Sequence, residues 1–137
     1  MLKGDILVSP QHLSIDNRVL KKFFILLSDP VKTKTYVLAI TTSQKKLWRE
    51  DKKGCHAFSA GDGYYVFKKG DDWFDADTTW VLFESIETLT FGDVQKQVAQ
   101  GNLQKINQLK GQNLQAVVNC VKSSPHINGF IIELITQ

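Results

Sequence analysis

Cysteine and histidine are scarce in this 137-residue chain, with two of the first and three of the second. Cys55 and Cys120 form no Cys-x-x-Cys pair, and His12, His56 and His126 lie far apart, so the ligand spacing of a zinc site is missing. No metal and no cofactor is therefore expected. The cysteines are expected as two free, partly buried thiols in a reducing cytoplasm, with one disulfide between them as the open alternative. Long apolar runs are lacking too. The longest, such as Phe23-Phe24-Ile25-Leu26-Leu27, fall far short of the ~20 residues that cross a bilayer. No basic start leads into a long apolar segment, so no signal peptide, no membrane partner and a cytoplasmic location are expected. Phosphate-cradling G-x-x-x-x-G-K-[ST] and G-x-G-x-x-G motifs are absent, as are G-x-S-x-G, H-E-x-x-H and an EF-hand loop. Gly61-Asp62-Gly63 is only a turn signal.

What remains is the profile of one ordinary globular domain over 1–137, with 42% hydrophobic and 23% charged residues. The net charge of +3 conceals an uneven distribution. Residues 17–53 carry ten basic side chains against three acidic ones, a balance of +7, whereas residues 61–93 carry two against eight, a balance of −6. A basic face of this kind suits a polyanion, RNA or DNA. The acidic run Asp71-Asp72-Trp73-Phe74-Asp75-Ala76-Asp77 lacks the EF-hand glycine and is expected to be a solvated loop rather than a cation site.

The first two-thirds of the chain predict β structure. Ile6-Leu7-Val8 forms a short strand, followed by a polar loop over 9–20. Phe23–Leu27 has the continuous apolar pattern of a strand buried on both sides, closed by Ser28-Asp29-Pro30. Thr35–Thr42 is the next strand, antiparallel to it across a longish loop. Residues 43–54 are strongly basic, with Leu47 and Trp48 their only apolar side chains, and predict a loop. Tyr64–Phe67 and Thr79–Phe83 add two strands. The period then becomes helical at Phe91, Val94 and Val98, continues through Leu103, Ile106 and Leu109, and is firmest at Leu114, Val117, Val118 and Val121, ending at Ser123-Ser124-Pro125. Gly129–Ile135 predicts a last strand.

The order of these pieces resembles the PemK/MazF family, the toxins of bacterial type II toxin–antitoxin pairs. The likeness rests on the Gly4–Val8 start, the basic position and apolar strand at Lys22–Ser28, the block Ala39-Ile40-Thr41-Thr42-Ser43-Gln44, and Trp80–Leu89 leading into C-terminal helices. It implies a mainly β fold, a small SH3-like barrel with a C-terminal helix or helices, and a homodimer. It also implies metal-independent, sequence-selective cleavage of single-stranded RNA, blocked by an antitoxin protein. Family members commonly open the apolar strand with Arg-Pro, where this sequence has Lys22-Phe23. A lysine supplies a point charge but not the two-pronged fork of a guanidinium.

On this resemblance Lys22, Thr42, His12 and Arg18 are the candidate catalytic residues. The ribose 2′-hydroxyl attacks the phosphorus, a base takes its proton, cations stabilise the phosphorane, and an acid protonates the leaving 5′-oxygen. His12 suits acid or base work, Lys22 or Arg18 suits charge stabilisation, and Thr42 suits donation to a phosphate oxygen. Lys21, Ser43, Lys45, Lys46, Trp48 and Arg49 are the candidate RNA-binding residues, with Trp48, Tyr64, Tyr65 and Trp73 able to stack on bases. Two other readings stand beside this one: a non-catalytic nucleic-acid-binding barrel, and a protein-interaction module that uses the acidic segment.

Overall fold

A computed structural model describes residues 1–13, 19–58 and 61–137. Seven strands form one antiparallel sheet in the order β4-β5-β6-β3-β2-β1-β7, where β1 is Asp5–Leu13, β2 Val19–Leu26, β3 Thr35–Thr42, β4 Gly54–His56, β5 Tyr64–Lys68, β6 Thr78–Thr90 and β7 Gln104–Gln108. Four helices accompany it: α1 Pro30–Thr33, α2 Phe91–Ala99, α3 Gly111–Ser123 and α4 Gly129–Thr136. The sheet is open, with β4 and β7 at its edges. None of the described helices is long and apolar enough to cross a membrane.

The central strands each carry an apolar stretch, Ile6–Val8, Phe23–Leu26 and Tyr36–Ile40, because both faces are covered there. Register aligns Ile6 with Ile25 and Ile25 with Ala39, and these join Leu27 and Val37 on one face. There they meet Val117, Val118 and Val121 of α3 and Leu134 and Ile135 of α4. Leu7, Phe24, Leu26, Tyr36 and Leu38 alternate to the other face, against Val94 of α2 and Leu103. Period-two alternation between two covered faces yields the unbroken hydrophobic run of β2.

β6 bends sharply. Ala39 pairs with Ile86 and Thr41 with Val81, so two steps along β3 span five along β6. This bulge turns the first half of β6 toward β5 and opens a third cluster of Tyr64, Val66, Trp80 and Leu82, with Ile40 packed against it. The 43–53 segment is tied to this cluster: the Glu50 N–H donates to the Tyr64 hydroxyl at 2.8 Å, and the Trp80 indole N–H donates to the Glu50 carbonyl at 2.8 Å.

Several expectations are corrected. The polar loop over 9–20 is mostly strand, since β1 runs on to Leu13 and β2 begins at Val19. Leu103, Ile106 and Leu109 do not continue a helix. Leu103 and Leu109 are buried anchors at either side of β7, whose residues between them are all exposed on a sheet edge. Gly101, at φ +75, ends the preceding helix. Gly129–Ile135 is helix rather than strand: the Asn128 side chain accepts from the Phe130 N–H at 2.7 Å and starts α4. A short apolar run carries no period of its own to distinguish the two. The free-thiol expectation also falls, because Cys55 and Cys120 are joined by a disulfide with Cα atoms 5.5 Å apart. Helical phase puts Cys120 on the buried face of α3 beside Val117 and Val121, where the edge strand β4 arrives.

The helices start where the sequence provides caps. Thr90 and Asp93 form a reciprocal capping box on α2. α3 has no capping side chain of its own; Asp72 reaches it from the turn after β5, accepting from the Lys110 N–H at 3.0 Å and from the Asn113 amide at 2.7 Å. Asp71 accepts from the Lys68 N–H at 2.7 Å and from Lys53 at 3.1 Å. The first two carboxylates of the acidic run are thus committed within the fold.

Candidate nucleic-acid interface

An open groove of about 740 Å³ lies at one end of β2 and β3. One wall is Lys21, Lys22 and Phe23 of β2. A second comes from the end of β3 and the residues after it, Thr41, Thr42, Ser43 and Gln44. The third is the segment Trp73-Phe74-Asp75-Ala76 with Thr79. Four of the candidate site residues, Lys21, Lys22, Thr42 and Ser43, meet here although about twenty positions separate the pairs in the chain. The antiparallel register of β2 on β3 brings them together, since Phe24 faces Ile40 and each step back along β2 is a step forward along β3.

The groove has an aromatic floor. The Phe23 and Trp73 rings meet edge to face with centroids 5.1 Å apart, and Trp73 packs edge-on against Phe74. Phe74 is buried, while Trp73 is 37% exposed and leaves ring surface free. The two threonines differ in role. Thr41 donates its hydroxyl proton to the Phe23 carbonyl at 3.1 Å, which pins β3 to β2. The Thr42 hydroxyl oxygen accepts from the Gln44 N–H at 3.1 Å, so its own proton is available for a ligand. The side chains of Lys21, Lys22 and Asp75 make no hydrogen bond or ion pair with any described residue.

The remaining candidates are placed as follows. His12 lies on β1 with its backbone opposite Leu20, two positions from Lys22 on the neighbouring strand; its side chain is outside the described residues. Arg18 is also outside them. Arg49 is only 7% exposed, its guanidinium donating to the Gln44 carbonyl at 2.9 Å and facing Glu84 at 3.8 Å. The Lys45 ammonium donates to the Arg49 carbonyl. Both therefore shape the 43–53 segment from within. Lys46 accepts the Arg49 N–H on its own carbonyl, and Trp48 is 57% exposed beside a fully exposed Leu47. Tyr64 and Tyr65 are core residues, and burial raises the Tyr65 hydroxyl pKa above its ordinary value. His56 stacks on Tyr64 with centroids 5.0 Å apart and bonds the Lys52 carbonyl at 2.7 Å.

Sequence reasoning missed Asp75 and Phe23 as groove residues. Asp75 was grouped with its acidic neighbours; Asp71 and Asp72 are committed elsewhere, and of Asp75 and Asp77 only Asp75 lines the groove. The +7 stretch also divides in space. Lys21 and Lys22 are at the groove, Lys32 belongs to α1 at the far end of β2, and Lys45, Lys46, Arg49, Lys52 and Lys53 lie along the 43–53 segment.

No protein-family model matches the chain, and no curated protein matches its sequence.

Proposed function

We propose that the groove binds single-stranded RNA and that the chain is a toxin-like, metal-independent endoribonuclease of the PemK/MazF kind. The observation that carries this reading is the convergence on one open groove of two lysines with no side-chain partner among the described residues, a hydroxyl with a free proton and an exposed indole. Unpaired lysines attract phosphates, and a half-exposed tryptophan offers a stacking surface to any base. The Lys22 ammonium and the Thr42 hydroxyl supply positive charge and a donor to the non-bridging oxygens as the 2′-oxygen attacks phosphorus and the P–O5′ bond breaks. The 2′-hydroxyl proton passes to a base, an acid protonates the departing 5′-oxygen, and the products are a 2′,3′-cyclic phosphate and a 5′-hydroxyl. His12 is proposed for the proton transfers and Arg18 for added positive charge.

The same reading includes an SH3-like barrel, a homodimer and neutralisation by an antitoxin protein. It also includes action in the cytoplasm, and there the disulfide pulls the other way, because reducing compartments keep thiols apart. Thiol titration of the protein purified from its own cytoplasm decides that point.

The test of function is incubation of purified protein with a long single-stranded RNA in the presence of EDTA. Discrete fragments with cyclic phosphate ends, lost in Lys22→Ala by about 10²-fold or more, are expected. Binding without cleavage converts the reading to a nucleic-acid-binding module, which the lysine at position 22 in place of arginine favours. Absence of both overturns it.

A further inference from the structure

Asp75 is an anomaly in a groove for a polyanion. A carboxylate facing the same open space as two lysines repels phosphate, yet it forms no ion pair with either of them. Of the other carboxylates of its run, Asp71 serves Lys68 and Lys53, Asp72 serves the start of α3, and Asp77 is exposed and does not line the groove. Asp75 is exposed and unengaged, two residues from the indole that offers the stacking surface. A base laid on Trp73 therefore shares the groove with a carboxylate that has no side-chain partner among the described residues.

The chemistry of base edges then discriminates. A carboxylate only accepts hydrogen bonds. Guanine presents two adjacent donors on its Watson–Crick edge, N1–H and an N2 amine proton, which match the two oxygens side by side. Adenine and cytosine each set a lone pair beside their single amine donor, and uracil flanks N3–H with two carbonyls. All three thus turn acceptor against acceptor. In single strands these edges are unpaired and open to a protein. Resting on the reading that the groove takes single-stranded RNA, we propose that Asp75 and Trp73 form a one-base guanine pocket, with Lys21 and Lys22 holding the adjacent phosphates across the groove.

The test uses the intact protein and short fluorescein-labelled 2′-O-methyl oligouridylates, which cannot be cleaved through the 2′-oxygen. Each carries one central guanine, inosine, adenine or cytosine, and affinity is read by anisotropy. The guanine oligomer is expected to bind about 5- to 100-fold more tightly than the adenine, cytosine and all-uridine oligomers. Inosine, which lacks the N2 amine, falls between. Asp75→Asn removes the guanine preference while affinity for the all-uridine oligomer holds or rises, since a repelling charge has gone. The Asp75 side chain has no partner among the described residues to lose, and a thermal melt confirms the variant's fold. Equal binding of all oligomers, or a guanine preference that survives Asp75→Asn, overturns the base pocket and leaves the RNA reading standing. Failure to bind any oligomer overturns both.

Discussion

At the scale of single residues, function and stability turn on which polar atoms are already occupied. Thr41 and Thr42 are neighbours of the same type, but Thr41 uses its proton on the Phe23 carbonyl and Thr42 accepts a backbone N–H instead. Thr42→Val keeps the shape and strand preference and removes one donor, so cleavage should fall by about tenfold with the melting temperature little changed. Kinetics beside a thermal melt check it. Gly63 is a contrasting case. Its φ is +92, and a Cβ there would come within 2.8 Å of the His56 carbonyl oxygen and 2.9 Å of that of Ala57. Gly63→Ala should destabilise by about 1–3 kcal/mol in denaturant unfolding, because both the backbone angle and the neighbouring strand oppose it. Asp71 links stability to pH. The backbone N–H of Lys68 first, and the Lys53 ammonium after it, hold its carboxyl below the usual carboxylate range against the opposing effect of burial. Its stabilisation is present above the unfolded-state pKa and is lost as pH falls through that range toward the folded value. Asp71→Asn should flatten the acid side of a plot of melting temperature against pH.

At the scale of elements, what a sequence can show depends on whether the determinant is local. The apolar run of β2, the β-branched and aromatic content of β3 and the amphipathic face of α3 are properties of consecutive residues, and each was legible. β7 was not. Leu103 and Leu109 have the spacing of a helix, yet they are two buried anchors at either side of an exposed strand. Its pairing partner β1 is about a hundred positions away, and the register shift at Ile106 shows only against that partner. The groove was half legible. Lys21, Lys22, Thr42 and Ser43 were named from the likeness of their blocks to a family. Asp75 became distinct only when Asp71 and Asp72 were seen to be in use. Asp72 also shows how an element can depend on a remote residue, since it supplies the start of α3 with an acceptor that Lys110 does not provide. Asp72→Ala should cost about 1 kcal/mol in denaturant unfolding and should loosen hydrogen-exchange protection in the first turn of α3 before the rest.

At the scale of the whole molecule, charge matters by where it lies rather than by its sum. The described basic residues of 17–53 fall into separate places, Lys21 and Lys22 at the groove, Lys32 and Lys34 around α1 at the other end of β2, and the remaining five along the 43–53 segment. Lys21→Ala should therefore reduce the slope of log affinity against log salt for single-stranded RNA by about 0.7. The double change Lys32→Ala and Lys34→Ala, which removes twice the charge, should leave that slope unaltered. A titration from low to moderate salt with each variant decides between a located site and a diffuse attraction.

The Cys55–Cys120 bond makes a closed covalent ring of the chain from β4 through most of α3, with β1, β2 and β3 outside it. The groove straddles that division: its lysines and Thr42 come from the open arm, and Trp73 and Asp75 from the ring. A single cut anywhere inside the ring leaves one molecule with both arms attached, whereas a cut outside it releases a fragment. A protease ladder run without and with reductant therefore sorts every nick into ring or arm, and only arm cuts should separate the phosphate-holding side of the groove from its base-reading side.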